Sequence, residues 1–255
     1  MKIISWNMGF WEFAEWHTAA WDYLIHYVQP DIALLQETAV PERYVPNTVF
    51  RPRRCPSREE KWGTAIYVNP ESFSLSNVQL VDETDKFLTA SPENSEDCFN
   101  GKTVITSVLL KDVCLFNAVS IHTNTNTAKY GSNDDITVRH LDYLFKTNKL
   151  HTKLGSYFII GGDFNADQTM YENAYSKYFS YLEGEGLHEC LKPVTQTFFG
   201  WNMSKENHFQ DDHVFIPKIM AKQIKKCFAW NYGKIKHLSD HTIVELELEG
   251  SEFGI

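Results

Sequence analysis

The feature that most restricts the fold is a surplus of short β-rich runs with little helix between them. KIISWN (2–7), DIALLQE (31–37), GTAIYV (63–68), YFIIGGDFN (157–165), TQTFF (195–199), HVFI (213–216), CFAW (227–230) and TIVELELE (242–249) read as strands, and TVITSVLLKDVCLFNAVSIH (103–122) reads as a hairpin turning at Lys111-Asp112. DIALLQE is almost continuously apolar, as a strand buried on both faces must be. Only three stretches carry helical spacing. The first, 13–28, repeats through Ala20, Tyr23, Leu24, Tyr27 and Val28 and is stopped by Pro30. The second, 134–149, sets Ile136, Leu141, Leu144 and Phe145 on one side, and the third covers 171–182. A doubly wound sheet needs a helix after nearly every strand. So many strands with so few helices predict instead two packed mixed β-sheets with helices outside.

Composition narrows the class further. A chain of 255 residues with 43% hydrophobic and 22% charged side chains is an ordinary globular protein, expected to form one domain over 1–255. The net charge of −9 argues against a surface that grips nucleic acid everywhere, though not against a local basic patch. No apolar run approaches 18 residues, so no membrane span is expected. KIISWN follows Met1 directly, which leaves no room for a signal peptide. The cysteines at 55, 98, 114, 190 and 227 are odd in number and lack metal-type spacing, which predicts reduced thiols and a cytoplasmic location.

Polar residues gather where the predicted strands end. Asn7 and Glu37 close the first two strands, His122 closes the hairpin with Asn124 just beyond, and FIIGGDFNADQ runs from an apolar strand into Asp163, Asn165 and Asp167. Asp212 opens DHVFI, and Asp240 and His241 precede the last strand. Each has a bland reading: a turn cap for Asn7, a structural imidazole for His122, an Asx turn for GGDFN. Their coincidence at strand ends points to one rim. Hard oxygen donors without a cysteine or clustered-histidine site suit Mg²⁺ or Mn²⁺ rather than zinc. Amides and imidazoles beside such a cation make a site for an anionic, phosphate-like substrate. Neither a nucleophilic-serine motif nor a P-loop is present. In FIIGGDFNADQ, an extended backbone would aim Asp163 and Asn165 to one side and Phe164 into packing, with Gly161 and Gly162 allowing close approach to the backbone. Asp167 falls past the strand and reads as a turn residue.

The blocks IISWN (3–7), PDIALLQET (30–38), WGTAIYV (62–68), SIHTN (120–124), IIGGDFNAD (159–167), DDHVFI (211–216) and LSDH (238–241) resemble, in order, those of the endonuclease/exonuclease/phosphatase superfamily. That superfamily includes AP endonucleases, pancreatic-type deoxyribonucleases, neutral sphingomyelinases, deadenylases and inositol polyphosphate 5-phosphatases. The resemblance implies a four-layer α/β/β/α sandwich with its site at one rim. It implies that Glu37, with Asn7 and Asp240, holds the divalent cation, and that Asp163 and Asn165 orient the attacking water and bind the phosphate. His241, held by Asp212, would be the general base or a phosphate contact, and His122 would serve the leaving side. Gln210-Asp211-Asp212-His213 departs from the superfamily's usual Arg-Ile-Asp-Tyr type block, and a tryptophan-rich MGFWEFAEWH follows Asn7. In some deoxyribonucleases a carboxylate just before the GTAIYV-type strand supports the first histidine; here Glu59 and Glu60 lie near, and Lys61 competes for that register.

For the substrate, RPRRCPSR (51–58) reads as a basic loop whose Arg51, Arg53 and Arg54 would contact substrate phosphates, and Lys218, Lys222, Lys225 and Lys226 form a second basic stretch. Trp11, Trp16 and Trp201 either stack bases or bury a long loop. A metal-dependent nuclease is favoured, with a phosphoesterase of lipid headgroups or small esters and a non-catalytic binding protein as the alternatives.

Overall fold

A computed structural model describes residues 1–55, 58–76, 102–123, 136–147, 149–168, 170–192, 195–199 and 209–249. The first sheet, A, holds β1 (Lys2–Asn7), β2 (Ile32–Thr38), β3 (Thr48–Cys55), β4 (Arg58–Val68), β11 (Ile224–Ala229) and β12 (Val244–Leu248) in the order β11-β12-β1-β2-β4-β3. The second, B, holds β5 (Ser74–Ser76), β6 (Thr103–Leu110), β7 (Val113–His122), β8 (Phe158–Asp163), β9 (Leu187–Glu189) and β10 (Asp212–Pro217) in the order β5-β6-β7-β8-β10-β9. Each sheet is mixed, with one parallel pair at its centre: β1 with β2, and β7 with β8.

Alternation along the central strands builds three cores at once. Ile3, Leu34, Ile159 and Val214 face inward and pack sheet on sheet. Ile4, Ala33 and Leu35 face outward from sheet A against Ala20, Trp21, Leu24 and Val28. Ile160, Val119 and Phe215 face outward from sheet B against Leu141, Phe145, Tyr178 and Leu182. A strand covered on both faces has no polar side to show, which is why DIALLQE carries no alternating pattern. The helical layer on A is α1 (Phe10–Phe13) and α2 (His17–Tyr23), which continues as a π-helical turn to Val28. The layer on B is α3 (Ile136–Asp142), α4 (Leu150–Lys153) and α5 (Met170–Gly184). The four-layer sandwich expected from the sequence is therefore present.

Several local expectations need correcting. TQTFF is not a strand: only Phe198 makes isolated bridges, to Phe209 and His241. RPRR is not loop but the end of edge strand β3, paired with β4. The 134–149 helix is broken, since its second half is a π-turn and Lys149 takes a left-handed φ of 48° before α4. The short strands β5 and β9 have too few residues to register as patterns. The hairpin turn does fall at Lys111 and Asp112, both at positive φ.

The two glycines of FIIGGDFNADQ are required by neighbours within the protein itself. A Cβ on Gly161 would lie 2.7 Å from Leu34 Cδ1 across the sheet interface, and one on Gly162, at φ +151°, would lie 1.8 Å from the Ile121 carbonyl oxygen.

Candidate active site

The rim where β1, β2, β7 and β8 end and β10 begins carries the charged cluster. Asp163 is its centre. β8 pairs with β7 and β10 so that Asp163 stands opposite both His122 and Asp212. Its Oδ2 accepts Asn7 Nδ2 at 2.9 Å, a bond that crosses from sheet A to sheet B. Its Oδ1 accepts the Asn165 backbone N–H at 2.8 Å. The strand ends at Asp163, and Asn165 is left-handed at φ 46°, so the two side chains are not aligned by an extended backbone. They are joined instead by an Asx turn, with Asn165 Nδ2 donating to the Thr123 carbonyl at 3.2 Å. Phe164 is fully buried, as expected. Asp167 is buried too, and its Oδ2 accepts Gln210 N–H at 2.6 Å, tying this turn to the segment before β10. Burial and the nearby Asp212 charge push the Asp163 carboxyl up to about 6, against the lowering effect of His241.

His241 Nδ1 donates to Asp212 Oδ2 at 2.8 Å, and its Nε2 faces Asp163 Oδ2 at 3.8 Å. Burial opposes the imidazolium, but Asp212 and Asp163 outweigh it and hold His241 well above the ordinary histidine range. Asp212 is fully buried, and its Oδ1 has no hydrogen-bond partner among the described residues. Beside it Asp211 is also buried, and burial together with Asp163 and Asp212 pushes its carboxyl well up.

Glu37 sits on a bulge where the β2–β4 register slips between Leu35 and Thr38, and its φ of 44° is left-handed. A non-glycine residue held there stores strain, which a functional position can justify. The neighbours enforce it. Gln36 Nε2 donates to Ser120 Oγ across the sheets at 2.8 Å, Trp21 Nε1 donates to Thr38 Oγ1 at 3.0 Å, and the Ala39 N–H donates to His17 Nε2 at 2.9 Å. Burial first, then Asp163 and Asp240, raise the Glu37 carboxyl to about 7 against the lowering effect of Lys102 and His241. Asp240 approaches the other flank of Asn7, where a Cβ on Gly9 would lie 3.2 Å from its Oδ1. Asn7 Oδ1 accepts the Gly9 N–H at 2.9 Å.

His122 is buried, with Nε2 at 3.3 Å from Glu37 Oε1. The position just before GTAIYV is filled by Trp62, whose ring centroid is 6.2 Å from that of His122. Lys102, 4% exposed, places Nζ at 3.3 Å from His122 Nδ1. Burial, then the Lys102 and Arg53 charges, push the imidazole well below its ordinary value. Lys102 is not legible as a site residue, since nothing in NGKTV forms a motif, and Trp62 opens the WGTAIYV block with no role expected of it. Asn124 and the Arg54 side chain lie outside the described residues. Arg51 and Arg53 lie on β3 at the edge of sheet A, next to the rim. The second basic stretch is spent elsewhere: Lys225 and Lys226 pair with Glu245 and Glu247, and Lys218 Nζ donates to the Glu183 carbonyl. Trp11 and Trp16 are 72% and 56% exposed, so they bury no loop, and Trp201 lies outside the described residues.

The donor set suits a hard cation. Glu37 feels the negative charge of Asp163 and Asp240, with Lys102 and His241 as the opposing charges. Among the described residues no three histidine, cysteine or acidic side chains converge closely enough to chelate an ion unaided.

A sequence model described as the Endonuclease/Exonuclease/phosphatase family matches residues 4–241. The chain belongs to that family. Solved structures agree on the fold. The endonuclease domain of TRAS1, a telomere-specific non-LTR retrotransposon, superposes with a TM-score of 0.64 at 17% identity, covering 97% of this chain and 98% of that one. The 3'-5' exonuclease NExo from Neisseria meningitidis gives 0.65 at 15% identity, over 98% and 100%. A mannosyl-6-phosphatase from Bacteroides thetaiotaomicron gives 0.63 at 15% identity, over 98% and 99%. No curated protein matches the chain in sequence. As a member of the endonuclease/exonuclease/phosphatase family, the protein joins nucleases and phosphatases that share this sandwich. No helix among the described residues is long and apolar enough to cross a membrane.

Proposed function

We propose that this protein is a divalent-metal-dependent phosphodiester hydrolase, and that its substrate is a nucleic acid. The observation that carries the hydrolase reading is Asp163. It is a buried carboxylate fixed by Asn7 from the opposite sheet and by the Asn165 amide, and its pKa of about 6 is close to that of an effective general base at neutral pH. Asp163 takes a proton from the attacking water. His241, kept cationic by Asp212, donates from Nε2 to a phosphate oxygen, which makes it a phosphate contact rather than the base. His122 stays neutral beside Lys102, whose ammonium supplies positive charge on that flank. Glu37, Asp240 and the Asn7 amide would hold Mg²⁺ or Mn²⁺, which when bound supplies Lewis-acid polarisation of the phosphate. The intact set argues against a purely non-catalytic binding role.

The nuclease preference rests on Arg51 and Arg53 at the rim of an acidic protein. One observation favours the small-ester or lipid-headgroup reading. Trp11 and Trp16 stand exposed beside the equally exposed Glu12 and Glu15, in the segment leaving Asn7, and a polyanion gains little there. Activity on DNA, RNA, a choline phosphodiester and a sugar monophosphate, with Mg²⁺, Mn²⁺ or EDTA, separates the readings. Cleavage of DNA or RNA that EDTA abolishes is the expected result. Hydrolysis confined to the small esters would overturn the nuclease reading, and full activity in EDTA would overturn the metal-dependent one.

A further inference from the structure

Next to the rim lies a buried polar hub that takes no part in the chemistry above. His213, the second residue of β10, is fully buried among the Phe164, Phe179 and Phe215 rings. Its Nδ1 lies 2.6 Å from Glu189 Oε1, and its Nε2 lies 2.7 Å from the Ala166 carbonyl oxygen. A carbonyl oxygen has no proton to give. Glu189 has none either, because Gln210 Nε2 donates to its Oε1 at 2.8 Å and Gln168 Nε2 to its Oε2 at 3.1 Å, the pattern of an ionised carboxylate. Both ring nitrogens must then be donors. A neutral imidazole has one N–H and could serve only one of the two acceptors, so the hub is an imidazolium paired with a carboxylate.

What the hub holds is the turn that carries Asp163 and Asn165. Ala166 and Gln168 are tied to it directly, and the Phe164 N–H donates to the Asp211 carbonyl at 2.8 Å just before β10. The even-numbered residues are thus anchored to β9, β10 and the approach to β10, while Asp163 Oδ1 accepts the Asn165 N–H at the rim. Gln210 and His213 are two of the positions at which this chain departs from the family's usual block. The charged groups around His213 are Glu189 on β9, Asp212 on its own strand and Asp211 just before it, while Asp167 on the turn is engaged by the Gln210 N–H. Burial opposes the imidazolium, but Glu189, the Ala166 carbonyl and Asp212 outweigh it and raise His213 above its ordinary 6.5.

We propose that His213, paired with Glu189, is a positioning residue for Asp163: its Nε2–H holds the Ala166 carbonyl and so fixes the turn, and loss of its proton releases that hold. This deepens the hydrolase reading and rests on it. Because the folded value is raised, the hold is complete below pH 6.5 and is lost as pH rises through the folded midpoint.

The test has two arms. In the first, the wild-type protein without metal is titrated by ¹⁵N NMR. Both His213 ring nitrogens should be protonated below a midpoint above 6.5, and the Asn165 and Asp167 amide signals should move with that same midpoint. A neutral ring at pH 6.5, or turn amides indifferent to the His213 titration, overturns the proposal. In the second arm, wild type and His213→Phe act on bis-p-nitrophenyl phosphate and single-stranded DNA in saturating Mg²⁺. The variant keeps an aromatic ring and loses both donors. Its kcat should fall by at least about tenfold with KM held within about twofold, because displacing a reacting group by about 1 Å costs up to about a hundredfold without removing a binding contact. The step in wild-type kcat at the His213 midpoint should be absent from the variant. Unchanged kcat, or a loss confined to KM, overturns the positioning role. If neither substrate is cleaved, the hydrolase reading fails on its own and the first arm alone decides whether His213 holds the turn; the same arm decides if His213→Phe does not fold.

Discussion

Glu37→Gln separates the cost of burying this carboxylate from its proposed use in holding a cation. In the folded protein the Glu37 carboxyl is raised from 4.5 to about 7. At about 1.4 kcal/mol per pH unit, that shift corresponds to about 3 kcal/mol. The sign follows from the raised value. Below pH 4.5 the carboxyl is protonated in both folded and unfolded chains. Between 4.5 and 7 the folded chain alone keeps its proton, so stability falls as pH rises, and the loss is complete above 7. Glutamine keeps the shape without the charge. In EDTA at pH 8 the variant should melt above the wild type by up to roughly 6–12 °C, at roughly 2–4 °C per kcal/mol for a chain of this size. At pH 4.5 the difference should nearly vanish. Mg²⁺ should raise the wild-type melting temperature and leave the variant's almost unchanged, while turnover falls by at least about a hundredfold, the loss expected with several kcal/mol of charge stabilisation. The assay is calorimetric or circular-dichroism melting at the two pH values, paired with turnover. An equal stabilisation at both pH values would show that charge is not the cause, and retained turnover would remove Glu37 from the cation site.

Other substitutions test the remaining parts of the rim. Asp163→Asn should cut turnover by about a hundredfold or more, the scale of one acid–base group, with an unchanged or higher melting temperature; full activity would reject Asp163 as the base. Asp167→Ala should do the reverse, costing about 1–3 kcal/mol by orphaning the buried Gln210 N–H while most turnover survives, and a dead but stable variant would contradict the turn assignment. Lys102→Met should raise the His122 pKa, read by NMR, because the ammonium at 3.3 Å is one cause of its depression; an unmoved titration would place the cation elsewhere. Gly162→Ala should destabilise more than Gly161→Ala, since its Cβ meets the Ile121 backbone while the other meets a movable leucine methyl group; thermal melts in the opposite order would refute the packing argument.

Much of this protein is written in one dimension. Strand runs such as KIISWN and DIALLQE, and the polar residue closing each of them, depend on local pattern, and they announce two sheets and a rim. The order of blocks from IISWN to LSDH announces the family. What the pattern cannot hold is anything made by distant segments meeting. RPRR looks like loop because its arginines hide an edge strand whose pairing partner, β4, supplies the regularity. Asn165 looks extended until the Asp163 carboxylate captures its N–H and turns the chain left-handed. Lys102 belongs to no motif and Trp62 carries no expected role in its block; both become site residues only because the start of β6 and the middle of β4 pass beside His122. The pKa values are likewise tertiary properties. Asp163 near 6 and Glu37 near 7 arise from burial and from carboxylates far apart in sequence, because desolvation and Coulomb energy depend on distance in space and not along the chain.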